Sequence, residues 1–358
     1  MSNTFGDILR ITTFGESHGP AMGGIIDGFP AGVRIDLGEV QRMVDRRRPG
    51  QSTVTTARDE KDRVEVLSGM LNGVTLGTPI GFIVRNADQR SADYESLTDC
   101  YRPSHADYTY AVKYGIRDHR GGGRASARET VCRVVAGAFA QQALRQLGIE
   151  VTACASQIGD VKLEKPLAEC DLTAIEHNAV RCPDESTAQT MMTAIAEAKE
   201  QGDTLGGIVT CVAHGVPAGL GDPVFGKLHA QLASAMMSIP AAKGFEVGTG
   251  FGFASCKGSE VLDAWTVRDG KIGTLTNHSG GIQGGISNGE PVIFNVAFKP
   301  VATLMRPVAC INAECQLVEV AQQGRHDPCV VPRAVPVVEA MTALVILDNY
   351  LKNKATHI

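Results

Sequence analysis

The chain has 358 residues, 43% of them hydrophobic and 20% charged, with a formal net charge of −5 at pH 7. This is the composition of a globular chain with ample core material, and it excludes bulk electrostatic attraction to nucleic acid, so any anion site must be a local concentration of arginine. Ten cysteines are present without a C-x-x-C spacing and no run resembles a secretory leader or a membrane span, which predicts a reduced, cytoplasmic chain with thiols as small apolar residues.

Ile8 to Phe14 alternates as a strand and leads into Gly15-Glu16-Ser17-His18-Gly19-Pro20, and Met22 to Asp27 reads as a second strand. A histidine in a Gly/Pro turn between strands is placed to reach a cleft, although one loop histidine alone is a weak signal. Asp36 to Arg48 predicts a helix with Leu37, Val40 and Val44 on one face, ended by Pro49-Gly50. Arg46, Arg47 and Arg48 fall on its last turn, where the helix dipole and phosphate recognition explain them equally well. Asp59-Glu60-Lys61-Asp62-Arg63 reads as a solvated charged turn.

Val64 to Leu67 and Ile80 to Val84 predict strands, with a hairpin turn at Asn72-Gly73. From Asn86 to Tyr108 the periodicity disappears, and long irregular loops inside compact chains are usually functional or disordered. Tyr101-Arg102-Pro103-Ser104-His105-Ala106-Asp107 concentrates reactive groups there. His105 is a candidate proton donor, Arg102 an anion ligand and Asp107 an orienter of the imidazole.

Arg120-Gly121-Gly122-Gly123-Arg124-Ala125-Ser126-Ala127-Arg128-Glu129-Thr130 is the most distinctive stretch. Val131, Val134, Val135, Ala138 and Phe139 then follow at amphipathic helical spacing, and Ser126 with Glu129 forms a capping-box pattern that starts the helix near Ala127 and runs it to about Leu147. Close backbone approach, a helix start and fixed positive charge together suit phosphate or carboxylate. The alternative is a flexible glycine loop with a solvated arginine face. Neither a Walker loop nor a G-x-G-x-x-G fingerprint is present.

Further on, Glu150 to Ile158 and Ile208 to Val216 read as strands, and residues 159 to 184 as a surface excursion. Asp184 to Gln201 is a helix with Ala188, Met192, Ile195 and Ala198 on one face, and a second buried helix is ended by Pro240. Asp269-Gly270 turns a hairpin, and paired glycines follow in Ser279-Gly280-Gly281-Ile282-Gln283-Gly284-Gly285. Val292 to Phe298 alternates as a strand and delivers Lys299-Pro300-Val301-Ala302-Thr303. The loop Gly324-Arg325-His326-Asp327-Pro328 precedes Val337 to Leu351, a helix apolar on nearly every side, and residues 352 to 358 form a polar tail. Hairpins and separate helical runs predict an α+β fold in one large domain over residues 1 to 351.

Six of these stretches, in order and spanning residues 4 to 347, resemble the chorismate synthase family: Gly15 to Pro30, Arg46 to Ser52, Arg102 to Asp107, Gly122 to Thr130, Ser279 to Ser287 and Gly324 to Pro328. The resemblance implies a helical core between antiparallel β-sheets, a homotetramer, and 1,4-elimination of phosphate from 5-enolpyruvylshikimate 3-phosphate to give chorismate with reduced FMN. It implies that His105 protonates the departing phosphate, that His18 protonates or orients the flavin, and that Asp327 helps relay the ring proton. It assigns the substrate's anions to Arg47, Arg102, Ser126, Arg128 and Arg325. The flavin falls to Arg124, Ala125, Ser126, Pro240, Ala241, Gly284, Lys299, Pro300, Val301, Ala302, Thr303 and Arg325. No metal is implied.

Two positions depart from the family pattern. Thr53 stands where many members have arginine, with Arg58 close by in sequence, and Arg124-Ala125-Ser126 resembles the fungal form, in which NADPH reduces the flavin. With no dedicated nicotinamide motif, this chain is expected to take reduced FMN from elsewhere. The competing expectations are a related flavin-dependent phosphate lyase with another substrate and, from a different class, an RGG-like nucleic-acid binder. The net charge and the lack of aromatics among the arginines count against the second.

Overall fold

Two long apolar helices form the centre. The structure, a computed structural model, describes residues 3–48, 61–86, 98–321 and 327–356. Helix α3, Thr130–Arg145, is buried on nearly every side and lies against α6, Val331–Lys354. The two approach so closely at Gly137 that a methyl group there would sit 2.3 Å from Ala340 Cβ. The amphipathic pattern expected for α3 is therefore filled out on the other side by small residues, because sheets and helices cover it all round.

Helix α6 begins six residues earlier than its apolar pattern suggested and contains Pro336. A proline there cannot donate to the carbonyl of Pro332 one turn back. The buried guanidinium of Arg181 donates to that carbonyl at 2.7 Å instead. Residues 159–184 are thus not a simple surface excursion, since Ile175, Val180, Arg181 and Cys182 are all buried. The polar tail likewise starts only after Lys354.

On the α3 side lies an antiparallel sheet in the order β1-β2-β3-β7-β4: Thr4–Phe5, Arg10–Gly15, Ala21–Asp27, Ile80–Arg85 and Val64–Val66. The short hairpin β5–β6, Met70–Leu71 and Val74–Thr75, turns at Asn72-Gly73 as predicted, both residues having positive φ. On the α6 side a second antiparallel sheet runs β10-β9-β11-β17-β12: Val161–Lys162, Glu150–Ile158, Gly207–His214, Val292–Phe298 and Ala242–Val247. Val292, Phe294, Val296 and Phe298 alternate inward along β17. Helices α1, Leu37–Arg47, and α5, Leu228–Met237, complete the middle layer, and α4, Glu185–Glu200, packs outside β9 and β10. The buried face of α4 carries Met191 rather than Met192.

Smaller units carry the loops. β8, Cys100–Tyr101, inside the stretch expected to lack structure, joins β18 and β19, Pro307–Asn312 and Leu317–Ala321, and α2, Asp107–Tyr114, starts at the end of that stretch. Hairpins β13–β14, Trp265–Arg268 and Lys271–Thr274, and β15–β16, Ile282–Gln283 and Ile286–Ser287, stand apart from the main sheets. Seven cysteines are buried, and burial pushes the Cys132 thiol up to about 12. The expected architecture, α+β with a helical layer between antiparallel sheets, is the one observed.

Candidate active site

The glycine–arginine stretch reaches the site through one close contact. Gly121 has φ +83°, and a methyl group on it would lie 2.5 Å from Cε1 of His18 and 2.6 Å from Nδ1. A backbone without side chain is what lets this segment pass directly over the imidazole. His18, half-buried in the turn between β2 and β3, also has Nδ1 3.1 Å from the hydroxyl of buried Ser17.

The expected capping box does not form. Ser126 accepts from the Arg128 amide at 3.3 Å, the next turn is a short 3₁₀ segment over Ala127–Glu129, and α3 starts at Thr130 and ends at Arg145. Glu129 is drawn away from Ser126 by stronger partners. It accepts from the Thr13 hydroxyl and from the Arg133 guanidinium, which also donates to the hydroxyl and carbonyl of Ser238. Arg124 turns back onto β2, donating to Thr13 Oγ1 at 2.6 Å, Thr13 O at 3.2 Å and Gly15 O at 3.1 Å. Ala125 is exposed beside it.

Asp62, read from sequence as part of a solvated turn, is fully buried. Its carboxylate accepts from Arg47 at 3.2 Å on one oxygen and from Arg128 on the other. The reason is tertiary: two buried guanidiniums need an anion, and a buried charge is tolerated when paired and hydrogen-bonded. Arg128 donates in addition to Asn86 Oδ1 at 2.9 Å. The Asn86 amide nitrogen then donates to Glu16 O and Gly19 O, at 3.0 and 2.7 Å, so one side chain ties the His18 loop to Arg128. Asn86 was missed in the sequence, where its only signal was its place at the end of a strand entering an irregular loop. Asp327 pairs with Arg333, which also donates to the carbonyl of Arg47 at 3.0 Å.

The His105 loop forms the third group. Asp107 does not orient the imidazole as expected. It grips Arg102 through both carboxylate oxygens, at 2.8 and 2.9 Å, and accepts from the Arg102 amide. Five residues of spacing let that clamp close the loop on itself. Ser104 is left-handed at φ +60°, and its carbonyl accepts from Lys299 Nζ at 3.0 Å. His105 Nδ1 lies 3.0 Å from Pro103 O, and Nε2 lies 3.1 Å from the hydroxyl of Thr303, a residue only 4% exposed. Burial first, and then the Arg102 charge, hold the imidazole below its ordinary value.

The three groups are joined. Lys299 N donates to the carbonyl of Ala241, which is left-handed at φ +69° and follows half-buried Pro240, three residues beyond the Ser238 that Arg133 holds. Val301 O accepts from Thr204, and the neighbouring Leu205 amide donates to Pro328 O, linking the Lys299–Thr303 segment, with exposed Pro300 and half-buried Ala302, to Asp327. Gly284, with φ +61°, has no atom within 4 Å of where a Cβ would sit, and it neighbours Gly285, whose carbonyl accepts from Leu228 at the start of α5. Gly280, Gly281 and Gly285 pack against neighbouring segments, so of the two glycine pairs only Gly284 leaves its backbone open. Thr53, Arg58 and Arg325 lie outside the described residues.

Two half-buried histidines, a carboxylate and paired buried arginines, drawn from distant loops onto one hydrogen-bonded network, fit an enzyme that acts on a small molecule. The chain belongs to the chorismate synthase family: the family profile described as "Chorismate synthase" matches residues 9–351. It is 58% identical over 358 residues to the chorismate synthase of Bacteroides fragilis (strain YCH46), covering 100% of both chains, and 58% identical over the same length and coverage to that of Bacteroides thetaiotaomicron. A structure titled "Crystal Structure of Chorismate Synthase" superimposes with a TM-score of 0.78 at 32% identity, covering 97% of this chain and 93% of that one. The family places the chain among the lyases that act on phosphates in aromatic amino acid biosynthesis.

Among the described residues one helix, α6, is long and apolar enough to cross a membrane, and 89% of its apolar window is buried inside the fold.

Proposed function

We propose that the chain converts 5-enolpyruvylshikimate 3-phosphate to chorismate by 1,4-elimination of phosphate with reduced FMN. The observation that carries this is the His105 loop: a half-buried imidazole in a pinned loop, joined through Thr303 and Lys299 to the network that holds Arg47, Arg128 and Asp327.

The residues present suit FMN in their donor chemistry. Lys299, Arg124 and the hydroxyls of Ser126 and Thr303 offer cations and donors for a phosphate and a polar ring edge, with Pro240, Ala241, Ala125, Pro300, Val301 and Ala302 as apolar walls and backbone. Gly284, open on the side where a Cβ would stand, and Arg325 complete the assignment. When bound, reduced FMN would supply electron density to the breaking allylic system and a base for the ring proton.

The chain's own residues do the rest. Arg47, Arg102, Arg128 and Arg325 hold the phosphate and carboxylates, with Ser126 beside them, fixing the leaving group before it leaves. His105 supplies a proton to that phosphate, because a protonated phosphate departs more readily. His18 holds a proton towards the flavin or orients it, and Asp327, paired with Arg333, helps relay the ring proton to solvent. The chain takes its flavin already reduced, so NADPH is a cosubstrate only if flavin reduction proves intrinsic.

We read the protein as one domain, cytoplasmic and homotetrameric. The exposed Trp265, Val267 and Ile272 on one face of the β13–β14 hairpin support self-association, which light scattering measures directly.

The decisive assay is anaerobic: protein, chemically reduced FMN and 5-enolpyruvylshikimate 3-phosphate are mixed, and chorismate and phosphate are quantified. Stoichiometric formation of both is expected. No chorismate from folded protein would remove the proposal, and phosphate without chorismate would indicate a different reaction on the same substrate. The same mixture with NADPH and oxidised FMN tests whether the chain reduces its own flavin.

A further inference from the structure

Glu129 and Arg133 take no part in the proposed chemistry, yet they join two segments assigned to the flavin that are far apart in sequence. Glu129 leads into α3 with its side chain 7% exposed, and Arg133 lies one turn further on. Each carboxylate oxygen has its own donor: Oε1 accepts from the Thr13 hydroxyl at 3.2 Å and Oε2 from Arg133 Nε at 2.9 Å. Thr13 Oγ1 in turn accepts from Arg124 Nη2 at 2.6 Å. A guanidinium only donates and a carboxylate only accepts, so the single hydroxyl proton points to Glu129 and the direction of the chain of bonds is fixed. At its other end the Arg133 fork closes on Ser238, Nη1 donating to the hydroxyl at 2.6 Å and Nη2 to the carbonyl at 3.2 Å. Ser238 is the C-cap of α5, where an orphan carbonyl and the negative end of the helix dipole favour a cation.

The chain turns sharply just past that grip. The Ala242 amide donates to Ile239 O at 3.1 Å, closing a four-residue turn with Pro240 second and Ala241 third. Ala241 has φ +69°, at the left-handed position that a type II turn normally gives to glycine or asparagine. An alanine there is strained, and such strain persists where the surroundings over-determine it. Two grips do so: Arg133 on Ser238 before the turn, and the Lys299 amide on Ala241 O at 2.9 Å within it.

We propose that Glu129 and Arg133 are positioning residues for the flavin, a brace that holds the Pro240–Ala241 turn against the Arg124–Ser126 segment and so sets cofactor affinity without touching the cofactor. This rests on the functional reading above. A cradle held in its bound shape pays no ordering cost when the ligand arrives. Without the fork the turn is tied only through Lys299, the strain at Ala241 is free to relax, and the flavin must restore the turn each time it binds.

The test uses the full-length protein and oxidised FMN, whose fluorescence quenching reports binding without turnover. Arg133→Met keeps the apolar stem and removes the fork. It should raise the Kd for FMN about 10- to 100-fold, the range that outer-shell partners of a bound group carry. With saturating reduced FMN and 5-enolpyruvylshikimate 3-phosphate, its kcat should stay within about threefold of wild type. Glu129→Gln keeps an acceptor for Thr13, and Glu129→Gln/Arg133→Met should bind FMN within about twofold of Arg133→Met alone, because the two act as one unit. Arg145→Met removes another arginine of α3, one paired with Glu39, and should leave the Kd unchanged. Urea unfolding shows which variants are folded. Hydrogen exchange on the ligand-free wild type needs no variant: the Ala242 amide should already be protected, as a preformed turn requires.

A Kd within about threefold of wild type in Arg133→Met, an equal rise in Arg145→Met, or an Ala242 amide that exchanges freely in the ligand-free wild type would each overturn the brace. So would a double variant that binds FMN far more weakly than Arg133→Met, or a loss of kcat at saturating flavin with the Kd unchanged. If the wild type binds no FMN, the flavin reading falls and takes the brace with it. A wild type that binds FMN and a methionine variant that binds it equally well overturn the brace alone.

Discussion

Gly121→Ala isolates how the glycine–arginine stretch positions His18. At φ +83° an alanine costs roughly 1–2 kcal/mol in backbone strain. Its methyl group would also start 2.5 Å from His18 Cε1, against the 3.5–4.0 Å of a relaxed carbon contact, so the ring must recede by about 1 Å. A displacement of that size at a reacting group can lower turnover by about 10²-fold. Gly148→Ala is the control, since Gly148 has φ +76° with no atom within 4 Å of the added methyl. Both variants should lose similar stability in urea unfolding, while only Gly121→Ala should lose about two orders of magnitude in kcat. Measured side by side in the anaerobic assay, activities within threefold of one another would refute the argument that Gly121 sets the place of His18.

Asp62→Asn should cost about 3–5 kcal/mol in urea unfolding, because it removes the carboxylate from between two buried guanidiniums. A loss below about 1 kcal/mol would mean that other groups neutralise Arg47 and Arg128. Asn86→Ala should raise KM for substrate and lower kcat together, since it releases Arg128 and the His18 loop at once; a change in KM alone would confine Asn86 to Arg128. The depressed His105 makes acid a stress on the fold. As pH falls below its ordinary 6.5 the unfolded chain binds this proton before the native state does, so stability drops until the native midpoint is passed. Between pH 6.5 and 5, His105→Gln should show a shallower loss of unfolding free energy than wild type, and equal slopes would show that His105 titrates alike in both states.

The sequence by itself determined most of the elements, because they follow from local periodicity. Alternation wrote β2, β3, β7, β9, β11 and β17, the Asn72-Gly73 and Asp269-Gly270 turns needed only left-handed residues, and the motif order carried the family. Local rules failed where distant chain supplied the partner. Pro336 sits inside α6 because Arg181, 155 positions earlier in the sequence, satisfies the carbonyl that the proline cannot. Ser126 and Glu129 have capping-box spacing, yet Thr13 and Arg133 take the carboxylate. Asp107 is near His105 in sequence but belongs to Arg102, and Asp62 looks solvated until Arg47 and Arg128 close on it. Charged and hydrogen-bonding groups are committed to whichever partner burial brings within about 3 Å, and sequence spacing does not encode that choice. The residue types needed for the chemistry were legible from the start. Only the tertiary structure decided that Asn86 joins two loops and that the Thr303 hydroxyl meets Nε2 of His105.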